Sequence, residues 1–119
     1  MTGTAERLLI INARVYAPDL VADSGWLLTE GRRIAGYGYG RPPHFPEGAP
    51  VRQLDAAGLH LLPGFIDVHT HGAVGHEVMD ASAAGLQAMA RCFAQYGVTG
   101  FLPTTLTASP EATLSAIDT

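Results

Sequence analysis

Two charge-poor apolar runs flank one amphipathic stretch in the second half of the chain, and that alternation limits the folds open to it. The first run, Leu61-Leu-Pro-Gly-Phe-Ile-Asp-Val-His69, reads as a strand entered through a Pro63-Gly64 bend and buried on both faces. After a Gly-rich loop, Leu86, Met89, Ala90 and Phe93 fall at i, i+3, i+4 and i+7, the spacing of one buried helix stripe. Asp80 or Ser82 is placed to cap that helix, while Gly85 stands where the reciprocal Glu of a capping box belongs. Gly97 suits the left-handed position that ends it. Val98-Thr-Gly-Phe-Leu102 is a second buried strand, and Ser109-Pro110-Glu111 starts another helix with a cap, a proline in the first turn and an early carboxylate. The order strand, helix, strand, helix implies a parallel sheet with helices outside.

A closed eight-stranded α/β barrel takes roughly 250 residues. With 119 residues, two strands and one and a half helices cannot close one, so the expectation is the N-terminal portion of a longer protein.

The first half is different. Residues 1–55 carry twelve charged side chains and residues 56–119 only six, which separates a solvated module from elements destined for an interior. Residues 8–16 are dense in Leu, Ile and Val before Pro18-Asp19 breaks them. Trp26-Leu-Leu-Thr, a Glu30-Gly31 turn and Arg32-Arg-Ile-Ala-Gly-Tyr37 read as a hairpin. Val51-Arg-Gln-Leu54 is a further short strand, reached through Arg41-Pro-Pro-His-Phe-Pro-Glu-Gly-Ala-Pro50, an exposed loop with four prolines.

Charge and cysteine content exclude several classes. All seven cations are Arg, the formal net charge is −4, and Arg32-Arg33 is the single adjacent basic pair, so no stripe exists to neutralise a nucleic-acid backbone. One cysteine, Cys92, cannot form an internal disulfide and rules out a stapled secreted fold. The start, MTGTAERLLI, lacks the pattern of a signal peptide. The 19 residues 92–110 carry no charge, yet hold Gln95, two glycines, Pro103 and four threonines, which does not suit a membrane span. The expectation is a soluble cytoplasmic protein.

His69 and His71 carry the chemistry. Positions i and i+2 at a strand end leave the same face about 6.6 Å apart, so two imidazoles there can converge on one ion. In a parallel barrel, the C-terminal ends of the strands form the mouth of the active site. Gly72 and Gly75 follow, and the backbone can turn sharply there. By itself the pair is also compatible with two polar residues where a strand leaves the core.

The long run Asp55-Ala-Ala-Gly58-Leu-His-Leu-Leu-Pro63-Gly64-Phe-Ile-Asp67-Val-His69-Thr-His71-Gly72 resembles the opening signature of the amidohydrolase superfamily. Gly72-Ala-Val-Gly75-His-Glu-Val-Met79-Asp80 and Tyr96-Gly97-Val98-Thr99-Gly-Phe-Leu102-Pro103-Thr104-Thr105-Leu-Thr107 are similar to the N-acetylglucosamine-6-phosphate deacetylase family within it. The resemblance implies a small β-sandwich module, partial here, over residues 1–60. It implies the first βα units of a metal-dependent TIM barrel over residues 61–119. It implies one or two divalent ions, zinc or iron, with His69 and His71 as ligands, a phosphosugar substrate and a homodimer. The family's remaining ligands, a Glu and two His, and its catalytic Asp come from later strands, so no catalytic residue is assigned within these 119 residues. Glu77 stands where the family often has Asp. Dihydroorotase-like relatives often place Arg two residues after the second His, and this chain has Ala73. Another deacylase or cyclic-amide hydrolase, or a non-catalytic module, are the competing readings.

Four further residues are candidates for support at the site. Asp67 shares the face of His69 and either accepts from an imidazole or bonds nearby backbone amides. His76 and Glu77 follow in the loop. Thr104, with Thr105, ends the second strand, where turn bonding competes with substrate contact. Elsewhere His44 is expected in solvent, His60 and Cys92 in packing, Trp26, Tyr37 and Tyr39 in the β module, and Arg32 and Arg33 at an exposed hairpin end.

Overall fold

The computed structural model describes residues 6–46 and 48–119; residues 1–5 and Glu47 of the Pro-rich loop lie outside the described residues. The chain divides into two compact units, Met1–Pro63 and Gly64–Thr119.

The first unit is one mixed sheet in the order β3-β2-β1-β4, with β5 also pairing β1. Strand β1 (Arg7–Ala17) turns at Pro18-Asp19 into antiparallel β2 (Leu20–Glu30), with Ala17 opposite Leu20. The predicted hairpin is present: β3 (Arg33–Tyr39) pairs antiparallel with β2, and Gly31 holds φ 57° between them. What periodicity did not reveal is that β4 (Val51–Asp55) and β5 (His60–Leu61) both run parallel to β1. Leu9, Ala13 and Val15 of β1 and Ala22 and Leu28 of β2 are buried and form this unit's core.

The Asp55-Ala-Ala-Gly58 part of the signature explains how one strand serves two partners. Asp55 accepts from Ala57 N–H through Oδ1 at 2.8 Å and from Asn12 Nδ2 through Oδ2 at 3.0 Å. Ala57 and Gly58 then turn with φ of 49° and 82°, and glycine meets the second at little cost. Ala56 and Gly58 donate to the carbonyls of Ile11 and Asn12, and Leu59 accepts from Arg14. The loop thus continues the hydrogen bonding of β1 between β4 and β5.

Aromatic placement in this unit departs from expectation in part. Trp26 lies across the glycines of β3: a Cβ on Gly38 would meet its ring at 3.0 Å. Tyr39 is 73% exposed, because it ends the outermost strand. Tyr37 donates to Asp19 Oδ1 at 2.7 Å, a bond that pushes its titration upward because a phenolate would face the carboxylate. His60 is exposed rather than packed, with its Nδ1 3.4 Å from Tyr16 Oη.

The second unit holds the predicted strand-helix-strand-helix order. Strand β6 (Phe65–Thr70) pairs parallel with β9 (Val98–Pro103). A small hairpin of β7 (Gly72–Ala73) and β8 (His76–Glu77) follows β6, then a 3₁₀ turn at Val78–Asp80. Helix α1 (Ala83–Gln95) is capped by Ser82, whose Oγ accepts from Gly85 N–H, and Gly97 follows it at φ 80°. Met89 is fully buried, and Phe93 meets Phe101 edge-on at 5.1 Å. Ala90 is exposed, so the buried stripe turns toward Gly85 instead. Cys92 is half-buried. Helix α2 (Pro110–Ile117) starts at Ser109, whose Oγ accepts from Ala112 N–H at 3.2 Å.

One expectation is corrected. The two parallel strands are not buried on both faces: Phe65, Ile66 and Val68 are 58–69% exposed and Leu102 is 57% exposed. Each strand has one strand neighbour, so a single helix layer covers only part of its surface. Among the described residues, no helix is long and apolar enough to cross a membrane.

Close approach fixes Gly64, where an added Cβ would collide with Thr99 Cγ2 and Oγ1. Gly64→Ala should therefore cost about 1–3 kcal/mol of stability in a denaturant melt, and Thr99→Ala should return part of it in a double-mutant cycle. At the start of α2, Ser109→Ala should cost about 1 kcal/mol. The Glu111 carboxyl is held below its ordinary value, first by its own backbone N–H and then by Ser109. Its contribution is present above the ordinary carboxylate range and is lost as pH falls through the depressed value, so a Glu111→Gln variant should lose that part of the acid sensitivity.

Candidate functional site

The site lies at the C-terminal end of β6, where the chain passes from the strand into the β7–β8 hairpin. His69 and His71 leave the same face, as their spacing requires. Their Nε2 atoms are 3.1 Å apart, with ring centroids separated by 4.8 Å and planes nearly perpendicular at 89°. His69 is exposed and His71 half-buried.

The neighbouring strand supports this end of β6. Thr104 N–H donates to Thr70 O at 2.8 Å, continuing the β6–β9 pairing by one step. The main-chain carbonyl of Thr104 lies 2.9 Å from His71 Nδ1. Its side chain turns away, and Oγ1 donates to Leu102 O at 3.1 Å. Thr104 therefore reaches the histidine pair through its backbone, not its hydroxyl. Thr105 is half-buried, and no hydrogen bond of its side chain occurs among those of the described residues.

The other candidates separate. Asp67 accepts from the main-chain N–H of His69 through Oδ1 at 3.1 Å, the backbone alternative of its two readings. It steadies the strand end where the imidazoles emerge. His76 is half-buried against α1, its Nδ1 3.3 Å from where a Cβ on Gly85 would stand. A larger residue than Gly85 would meet that ring. Glu77 is exposed, and its N–H donates to Asp80 Oδ2 at 2.8 Å, which starts the 3₁₀ turn. His76 and Glu77 line a shallow concavity with His71 and the hairpin between them. His44 is exposed.

The pair passes a simple test as cation ligands. Two nitrogens 3.1 Å apart can both sit about 2.0–2.1 Å from one ion, subtending about 100° there, between the octahedral and tetrahedral angles. Imidazole nitrogen suits zinc and iron. Two donors do not complete such a site. Among the described residues, no group of three or more His, Cys, Asp or Glu side chains could hold a metal ion.

Known sequences and solved structures include proteins similar to this chain. No family model matches the chain. It is 52% identical over 68 residues to an N-acetylglucosamine-6-phosphate deacetylase of Vibrio furnissii, covering 55% of this chain and 17% of that protein. To a protein of the same name from Bacillus subtilis (strain 168) it is 35% identical over 106 residues, 87% of this chain and 25% of that one. The crystal structure of N-acetylglucosamine-6-phosphate deacetylase from Pasteurella multocida superposes with a TM-score of 0.83 at 26% identity, over 94% of this chain and 29% of that one. The chain thus spans a quarter or less of the length of the two curated relatives. All three bear the same name. The chain is thus similar to the N-terminal part of proteins named N-acetylglucosamine-6-phosphate deacetylase.

The hairpin beside the pair stores strain. Val74 holds φ 51° at the tip, a conformation in which a β-branched side chain crowds its own backbone. Val74→Gly should relieve that crowding and raise the melting temperature by a few degrees, roughly 1 kcal/mol in a calorimetric comparison.

Proposed function

We propose that this segment belongs to a metal-dependent deacetylase that cleaves the N-acetyl amide of N-acetylglucosamine 6-phosphate. Water adds across the amide: its oxygen enters acetate, and a proton passes to the amine of glucosamine 6-phosphate. The observation that carries this reading is the convergence of His69 and His71 Nε2 at 3.1 Å on a strand end, in a chain so similar to proteins of that name.

In this reading His69 and His71 hold a divalent cation, zinc or iron, as one ion or one of two. Bound there, the cation supplies a Lewis acid that polarises an amide carbonyl and acidifies water. The chain's own residues place it. Asp67 holds the backbone of His69, Thr104 holds His71, and Gly72 lets the β7–β8 hairpin pass close, since a Cβ there would collide with His76 O. The group that takes and returns the proton is a carboxylate outside these residues. Strands β6 and β9 are the first two of an α/β barrel, and the N-terminal sheet is part of a small β module, as the expected division at residues 60 and 61 describes. We further propose a cytoplasmic homodimer, with no nucleic-acid or membrane partner.

A protein of the length of its relatives that contains this segment should release acetate from N-acetylglucosamine 6-phosphate and stop after dialysis against a chelator. Turnover of free N-acetylated amino acids without the phosphosugar would reject the substrate. The double variant His69→Ala/His71→Ala should lower the cation content measured by elemental analysis, and unchanged stoichiometry would make the pair structural. The 119 residues alone should show no turnover, and robust deacetylation by them would place the proton-transfer group inside the chain.

A further inference from the structure

The two imidazoles are not equivalent. Resting on the cation-site reading above, we infer that the main-chain carbonyl of Thr104 is the positioning group of this site, fixing His71 as the Nδ1–H tautomer with its Nε2 lone pair turned toward His69. A carbonyl oxygen only accepts, so the 2.9 Å contact with His71 Nδ1 is a hydrogen bond only when that nitrogen carries the proton. A neutral imidazole has one ring proton, which leaves Nε2 bare. That is the nitrogen 3.1 Å from His69 Nε2, on the side where a cation would be shared.

The carbonyl is itself held. Thr104 N–H is tied to Thr70 O at 2.8 Å and Thr104 Oγ1 to Leu102 O at 3.1 Å, so the acceptor is braced from β6 on one side and from its own strand on the other. The half-buried setting of the bond strengthens it relative to an exposed one. His69 has no comparable brace. Its ring is exposed, and among the described residues its only side-chain hydrogen bond is the one to His71. With His71 Nε2 bare, that contact needs its proton from His69 Nε2. His71 therefore presents a ligand lone pair before any cation arrives, whereas His69 must release its contact with His71 to offer one. Ligating histidines elsewhere owe their orientation to such partners, whose loss costs about 10- to 100-fold in metal affinity.

The test reads the tautomer directly. In the ¹⁵N-labelled chain at about pH 8, above the ordinary imidazole value, two-bond nitrogen–proton correlations should show His71 protonated at Nδ1 without added metal and after addition of Zn²⁺. Replacing Thr105 by its α-hydroxy analogue turns the Thr104 carbonyl into an ester carbonyl, a weaker acceptor. No hydrogen bond of the described residues uses the Thr105 N–H that this removes. The ester chain should show mixed His71 tautomers and bind Zn²⁺ about 10- to 100-fold more weakly. Thr104→Ala keeps the carbonyl and should keep the Nδ1–H pattern. His71 found as Nε2–H in the unmodified chain, or an ester chain with unchanged tautomer and affinity, would overturn the inference. If the ester chain fails to fold, the unmodified spectrum decides alone. An Nδ1–H His71 in a protein of its relatives' length that binds no Zn²⁺ would reject the cation site and leave the role of Thr104 intact.

Discussion

The hydrogen bond from Thr104 N–H to Thr70 O is the interaction on which the second unit's site depends. It lies one step past the last paired residues, Thr70 and Pro103, where proline itself can donate nothing. By carrying the ladder beyond Pro103, it holds β6 and β9 together past the register shift between Asp67 and Thr70, up to the point where both leave the sheet. The two histidines emerge from β6 at that point, and the carbonyl that meets His71 emerges from β9. A looser pairing here would let the imidazoles and their acceptor drift apart, and the 3.1 Å approach of the two nitrogens would be lost.

The signature residues around the site divide between chain geometry and chemistry. Asp55 and Gly58 build a turn that lets β1 pair with two strands in succession. Gly64 makes room for Thr99, and Gly72 makes room for the returning strand of the hairpin. Asp67 holds a backbone amide. Only His69 and His71 bring two imidazole nitrogens together, 3.1 Å apart. A long motif of this kind therefore reads mostly as instructions for bending the backbone around two histidines.

Much of this was legible in residue order because the relevant forces are local. Ser82, Gly97 and Ser109 mark helix ends by satisfying orphan backbone groups or by tolerating positive φ, and the structure uses all three that way. The two-residue spacing of His69 and His71 places them together for the same reason. What stayed hidden depends on partners distant along the chain. Nothing in residues 51–61 states that they run parallel to β1, since a parallel and an antiparallel neighbour bury similar side chains. Ala90 lies on the expected stripe yet is exposed, because the helix turns Gly85 and Met89 inward instead. Thr104 meets His71 through a carbonyl that every residue possesses and no side-chain pattern can announce.

The open flanks of β6 and β9 have a practical consequence. In the described two-stranded sheet, each strand carries one lateral row of amide and carbonyl groups with no strand beside it, next to Phe65, Ile66, Val68 and Leu102 standing in solvent. Such a ribbon is a template for edge-to-edge growth. In concentrated samples of the free polypeptide, colloidal behaviour will be governed by these rows and greasy patches more than by its net charge, and solubilising additives or a fused carrier will decide whether it stays dispersed.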